Sequence, residues 1–325
     1  MRVGLIGVGS MGQNHARILA DMGVLAGVSD ISPEAAKKVG GKYSVESCTD
    51  HASLLKMDLD AVVIVTPTST HKKVASDALN AGKHVLLEKP MTGRSSDLTE
   101  LVGLAEKQHL VLAGGFVERH NPVVDFAKKG IQSGEYGELI TAASRRVSSL
   151  PSRIKDVGVV MDLGIHDIDV IQHVVDQEAR SVYALGGVGN GIPFEDHANI
   201  LIDFDKGATG FVEVNWLTPM KVRKLALTCS KNFVEVDYME QSAQVCSSSF
   251  KPFESGNLFN VPIEVDLRRI ALRKEEPLRR ELTDFISAVE KGGRPLVPGE
   301  SAVKTLKIAE AALRSVKSGG KEQVK

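Results

Sequence analysis

The chain has 325 residues, 42% of them hydrophobic and 25% charged, with a formal net charge of −1. This is the balance of a soluble globular protein with two ordinary domains, and no basic excess points to nucleic acid or an anionic membrane. No apolar run is long enough to span a membrane. The three scattered cysteines, Cys48, Cys229 and Cys246, suggest neither a disulfide framework nor a metal site. The opening residues lack a charged leader ahead of an apolar stretch, so a cytoplasmic location is expected.

Residues 3–6 are a short apolar run, read as a buried strand. Gly7, Gly9 and Gly12 follow in the spacing G-x-G-x-x-G, with Ser10 and Met11 between them, and residues 13–22 have helical character. In a dinucleotide site the first glycine permits the tight turn. The second lets a pyrophosphate approach the backbone, and the third lets the helix pack on the strand. The free N–H groups and the dipole of the helix start then face the anion. Residues 24–29 read as the second strand, ending at Asp30, 18 residues beyond Gly12. A carboxylate at about this separation can accept both ribose hydroxyls and repel a 2′-phosphate, so NAD is expected in preference to NADP. The alternative is that Asp30 starts the next helix. Ser32 and Pro33 already supply an N-cap and a first-turn proline there.

Strand and helix patterns then alternate. An extended stretch lies near 43–47, a fully buried strand at 61–65, a helix at 69–81, a strand at 84–87, a helix at 95–108 and a strand at 110–113. This alternation predicts a doubly wound parallel sheet, a Rossmann domain over residues 1–118. Beyond Pro122 the pattern changes. A helix at 123–132, an extended stretch at 139–147 and a long apolar helix at 159–175 precede strands at 181–188, 197–204, 210–216, 223–229, 233–238 and 242–246. Asp205-Lys206-Gly207 is a turn signal. Helices at 277–291 and 300–317 close the chain, and residues 318–325 are expected to fray. The second domain, 119–325, is therefore expected to be α+β with a large, mostly antiparallel open sheet. Its C-terminal helices are free to pack back on the first domain. One sheet face belongs on helices, and the other calls for a second subunit, as a homodimer or homotetramer.

Three segments have the makings of a reactive site. Thr66-Pro67-Thr68-Ser69-Thr70-His71 lies at the carboxyl end of a buried strand, where α/β sheets bind ligands. The plainer reading is that Ser69 or Thr70 caps the next helix. Glu88-Lys89-Pro90 also ends a strand, and the alternative for Lys89 is a surface turn. Asp162 and His166 are four apart in the long apolar helix and share a face, which continues through Asp169, His173 and Asp176. A solvated stripe would normally use Glu, Lys, Arg and Gln, the better helix formers. A carboxylate beside an imidazole is also the arrangement of a general base.

Taken in order, the glycine-rich opening, T-P-T-S-T-H, Glu88-Lys89-Pro90, Asp162-x-x-x-His166 and Pro295-Leu-Val-Pro-Gly-Glu300 resemble the glucose–fructose oxidoreductase and inositol dehydrogenase family, Gfo/Idh/MocA. The resemblance covers nearly the whole chain. It implies hydride exchange between a nicotinamide and a sugar-like carbinol, with Lys89, Asp162 and His166 in the active site and a Lys89–Pro90 peptide that is often cis. The expected cofactor set is Gly7, Gly9, Ser10, Met11, Gly12, Asp30, Thr66, Pro67, Thr68, His71, Glu88 and Lys89.

Three further stretches, Gly115-Phe-Val-Glu-Arg-His-Asn-Pro122, Arg153-Ile-Lys-Asp-Val-Gly158 and Trp216-Leu-Thr-Pro-Met-Lys-Val-Arg223, resemble family members that oxidise UDP-N-acetylglucosamine at carbon 3. That resemblance makes Arg119, Asn121, Arg153, Lys221 and Arg223 candidate substrate contacts. Arg153, Lys221 and Arg223 would meet the diphosphate; the alternative for these bases is ordinary surface charge. A free sugar or inositol is the alternative substrate. A catalytically silent NAD-binding regulator is the remaining alternative, although all three reactive side chains are present.

Overall fold

The computed structural model describes residues 1–150, 157–189, 191–250 and 263–325. In chain order the elements are β1 (Val3–Ile6), α1 (Ser10–Asp21), β2 (Leu25–Ser29), α2 (Pro33–Tyr43), β3 (Glu46–Cys48), α3 (His51–Leu55), β4 (Ala61–Ile64), α4 (Thr68–Asn80), β5 (His84–Glu88), α5 (Ser95–Lys107) and β6 (Leu112–Gly115). After a 3-10 turn at Val117–His120 come α6 (Pro122–Gln132), β7 (Leu139–Ser149), a π-helical turn at Val160–Gly164 and α7 (Ile165–Val175). Next are β8 (Ala179–Gly187), β9 (His197–Phe204), β10 (Thr209–Asn215), β11 (Leu217–Cys229), β12 (Phe233–Asp237), β13 (Ser242–Phe250) and β14 (Ile263–Ala271). The chain closes with α8 (Pro277–Lys291), α9 (Gly299–Ser318) and β15 (Glu322–Gln323). Two compact units result: residues 1–120 with 276–307, and residues 121–275 with 308–325.

The first unit holds a parallel sheet in the order β3-β2-β1-β4-β5-β6. This is the dinucleotide-binding order, with its switch point between β1 and β4. Every residue of β1 and β4 is buried, as strands covered on both faces require. Leu278, Leu282, Phe285 and Ile286 of α8 join the core formed by Val3, Leu5, Val28 and Val63. Burying each such side chain contributes about 1.5–3 kcal/mol. Ser32 caps α2, its hydroxyl accepting from Ala35 N–H, with Pro33 in the first turn.

The second unit holds a nine-stranded sheet in the order β14-β13-β12-β11-β7-β10-β9-β8-β15. All neighbours are antiparallel except β7 and β10. Side chains alternate on its central strands β9 and β10. On β9, Ala198, Ile200, Ile202 and Phe204 are buried, while Leu201 is 50% exposed. The turn at residues 205–207 forms as expected, with Gly207 at φ 94°. The tail does not fray. Glu322 and Gln323 pair with Val182 and Ser181 of β8, because an edge strand offers free backbone groups to any extended segment. The segments α3, β14 and β15 lie outside the elements expected from sequence.

Candidate active site

The three glycines of the first loop have different physical reasons. Gly7 has φ +92°, and a Cβ there would stand 2.5 Å from the carbonyl oxygen of Val65. A Cβ on Gly12 would overlap the carbonyl oxygen of Gly7. Gly9 has no such constraint, since a Cβ there would meet nothing within 4 Å. Packing within the chain therefore does not require a glycine there. Ser10 is exposed and Met11 half-buried at the start of the twelve-residue α1. Asp30 Oδ2 accepts from Val8 N–H at 2.8 Å, and Oδ1 accepts from Ser32 N–H at 2.9 Å. The carboxylate is thereby fixed against the glycine loop. An open backbone cradle, a helix start and an anchored acid at the end of β2 fit a dinucleotide.

The other two strand ends in this unit are joined by His71. Its Nε2 lies 2.8 Å from the Thr66 carbonyl and its Nδ1 lies 3.0 Å from the Pro90 carbonyl. Burial holds its pKa below the ordinary histidine value, against the pull of the two carbonyls. His71 therefore sits between the 66–71 loop and the 88–90 loop, and the neutral ring donates to one of the two carbonyls at a time. Helix α4 begins at Thr68, so Ser69 and Thr70 lie inside it instead of capping it. Thr66 and Thr68 are half-buried, and Pro67 is exposed at the N-cap position. The Lys89–Pro90 peptide is cis. Lys89 is half-buried at the end of β5, whereas Glu88 is buried and turned onto His15, Nε2 to Oε1 2.9 Å.

In the second unit the helix expected at 159–175 starts with a π turn. Asp162, only 6% exposed, sits in that turn, and half-buried His166 follows in the first turn of α7. The wider turn re-aims the side chains at its start, a feature concentrated at functional sites. Asp169 is fully buried, so the Asp/His stripe is not a solvated face there, and only its far end at Asp176 is exposed. Two supports of this segment were not visible in sequence. Val159 N–H donates to the Glu195 backbone carbonyl at 2.9 Å, and Val160 N–H donates to Glu195 Oε1 at 3.2 Å. A Cβ at Gly158 would overlap the Glu195 carboxylate. Burial pushes the Glu195 carboxyl up. The second support is Asp167, whose Oδ2 accepts from Arg146 Nε on β7 at 2.5 Å.

The candidate substrate contacts fare unevenly. Arg119 is 3% exposed and donates to Ser301 Oγ at 2.7 Å and to the Leu296 carbonyl at 3.4 Å. Asn121 is 2% exposed, caps α6 through Val123 N–H and donates to the Tyr238 carbonyl. Each is turned onto its own unit, because a buried polar group needs protein partners. Trp216 is likewise core, 1% exposed. Arg153 lies outside the described residues. Lys221 is exposed on β11, and Arg223 shares the strand face of buried Leu225 and Leu227, beside Arg146 in register.

Residues 1–116 match the family described as "Oxidoreductase family, NAD-binding Rossmann fold", and residues 124–235 match "GFO/IDH/MocA C-terminal domain". The chain belongs to the Gfo/Idh/MocA oxidoreductase family. NAD is its cofactor. It is 31% identical to UDP-N-acetylglucosamine 3-dehydrogenase of Acidithiobacillus ferrooxidans, over 89% of this chain and 88% of that one. The solved structure of that enzyme superposes with a TM-score of 0.88, at 29% identity and 98% coverage of both chains. Inositol 2-dehydrogenase of Rhizobium meliloti is 28% identical over 97% of each chain. Among the described residues no helix is long and apolar enough to cross a membrane.

Proposed function

We propose that the protein oxidises a hydroxyl of a nucleotide sugar, UDP-N-acetylglucosamine at carbon 3, with NAD as the acceptor. The observation that carries the chemistry is buried Asp162, held in a π turn ahead of half-buried His166. Resemblance to UDP-N-acetylglucosamine 3-dehydrogenase over nearly nine-tenths of the chain supports the substrate.

The residue roles follow from their chemistry. The backbone of the loop from Gly7 to Gly12 and the start of α1 hold the pyrophosphate, and Asp30 holds the adenosine ribose. Thr66, Pro67, Thr68 and His71 shape the floor at the end of β4. NAD, when bound, supplies the ring that takes up the hydride. His166 removes the hydroxyl proton, since an imidazole exchanges protons near neutral pH. Asp162 orients that imidazole. Lys89 donates a hydrogen bond to the substrate oxygen and stabilises its developing negative charge.

Lys221 and Arg223 hold the diphosphate. Charge-assisted contacts of this kind are strong and screened by salt. UDP alone should therefore compete with substrate, more weakly as salt rises. Arg223→Met should raise KM more than it lowers kcat, because a phosphate contact persists from ground state to transition state. Absence of UDP binding at low salt would reject the nucleotide-sugar reading. The second reading, oxidation of a free inositol by the same groups, is favoured by the similarity to inositol 2-dehydrogenase of Rhizobium meliloti over 97% of both chains.

A further inference from the structure

Three ionisable side chains are buried together in the first unit, behind the end of β5. His15 projects from α1, Glu88 from the end of β5, and Glu281 from α8; one ligating atom from each lies within 4.8 Å of the others. His15 is 0% exposed. Its Nε2 donates to Glu88 Oε1 at 2.9 Å. The other carboxylate oxygen, Oε2, accepts the backbone N–H of Lys89 at 3.0 Å. Glu88 therefore holds two things at once: the helix whose start faces the pyrophosphate, and the backbone that carries the reactive lysine.

The neighbouring strand is shaped to admit this carboxylate. Glu88 pairs with Gly115 on β6. A Cβ on Gly115 would stand 3.0 Å from Glu88 Cα, 3.2 Å from its Cδ and 3.3 Å from Oε2. A side chain there would displace the group that accepts from Lys89. Burial pushes the Glu88 carboxyl up, but the bond from His15 and the charges of His15 and Lys89 outweigh it and hold it below its ordinary value. The carboxylate thus stays ionised and is a strong acceptor.

We propose that Glu88, fixed by His15, is a positioning residue for Lys89: it locks the lysine backbone to α1 and so sets where the ammonium meets the substrate oxygen. This rests on the role given to Lys89 in the proposed function. A displacement of about 1 Å at a reacting group costs on the order of 100-fold in rate. Glu88 acts in this role through the backbone N–H of Lys89.

A double-mutant cycle on kcat tests this, because residues that act through one another are not additive. Glu88→Gln in the wild-type background should lower kcat about 10- to 100-fold and change the NAD Kd by less than about threefold. In a Lys89→Met background the same change should lower kcat by less than about twofold. His15→Gln should behave as Glu88→Gln does in both backgrounds, and NAD titration shows which variants are folded. Additive losses in the two backgrounds would overturn the proposal, because they would mean a general structural role. Loss of NAD binding in both Glu88→Gln and His15→Gln would overturn it too, since the pair would then serve the cofactor site. If Lys89→Met alone left kcat unchanged, the proposed role of Lys89 would fall first, and this inference with it.

Discussion

Arg146 and Asp167 form a buried ion pair, Nε to Oδ2 at 2.5 Å, and Asp167 is the residue next to His166. The guanidinium carbon also stands 5.3 Å from the centre of the Tyr238 ring. The pair fastens the first turn of α7 to the sheet. Charges this deep are tolerated only with compensating contacts, and removing one partner takes the main charge contact from the other in a low-dielectric interior. Arg146→Met or Asp167→Leu should each lower the unfolding free energy by about 3–5 kcal/mol, while the double variant should recover most of that loss. Urea denaturation gives the answer; single variants within about 1 kcal/mol of wild type would remove the pair from the account.

Asp30, anchored to Val8 N–H at the end of β2, carries a prediction about cofactor choice. NAD should bind more tightly than NADP. Asp30→Asn keeps the shape of the side chain but removes its charge. It should weaken NAD by about tenfold, the size of a lost charge-assisted hydrogen bond, and should narrow the preference over NADP. Titration of both cofactors decides the point, and a wild-type preference for NADP would refute it.

The proton-transfer roles give a kinetic prediction. Replacing His166 by Asn or Lys89 by Met should lower kcat at least about 100-fold, the scale of general acid–base catalysis, with little change in NAD affinity. The pH profile of kcat then separates the two roles, since only loss of the base removes the limb on the acid side. Near-wild-type turnover in both variants would discard the assignment.

Much of the first unit is legible because its strands are continuous apolar runs and its glycines have local reasons. The 61–64 run is buried at every position. The π turn is less legible, because periodicity cannot separate it from the α-helix that it opens. Glu195 and the Arg146–Asp167 pair are contacts between distant segments, which spacing does not reveal. Arg119 and Asn121 show a further limit of motif reading. A polar residue in a motif reads as a ligand contact until its burial and internal partners are known.

The second sheet gives a prediction about assembly. Ile140, Tyr183, Leu185, Leu201, Phe233 and Leu267 are exposed large apolar side chains on its strands, more than a lone soluble unit usually leaves in water. A second copy of the chain should cover this face, as a homodimer or within a homotetramer. Leu185→Lys with Leu201→Lys should release monomers in light scattering. Wild-type protein that is monomeric at micromolar concentration would contradict this.

The central claim is the substrate, and its most direct measurement is NADH formation from NAD with UDP-N-acetylglucosamine, free N-acetylglucosamine, glucose and myo-inositol, each followed by absorbance. The account predicts turnover of UDP-N-acetylglucosamine, with the three free compounds at least about 100-fold lower in kcat/KM, because the diphosphate contacts supply binding that they lack. Turnover of myo-inositol or a free sugar, with none of the UDP-sugar, would contradict it.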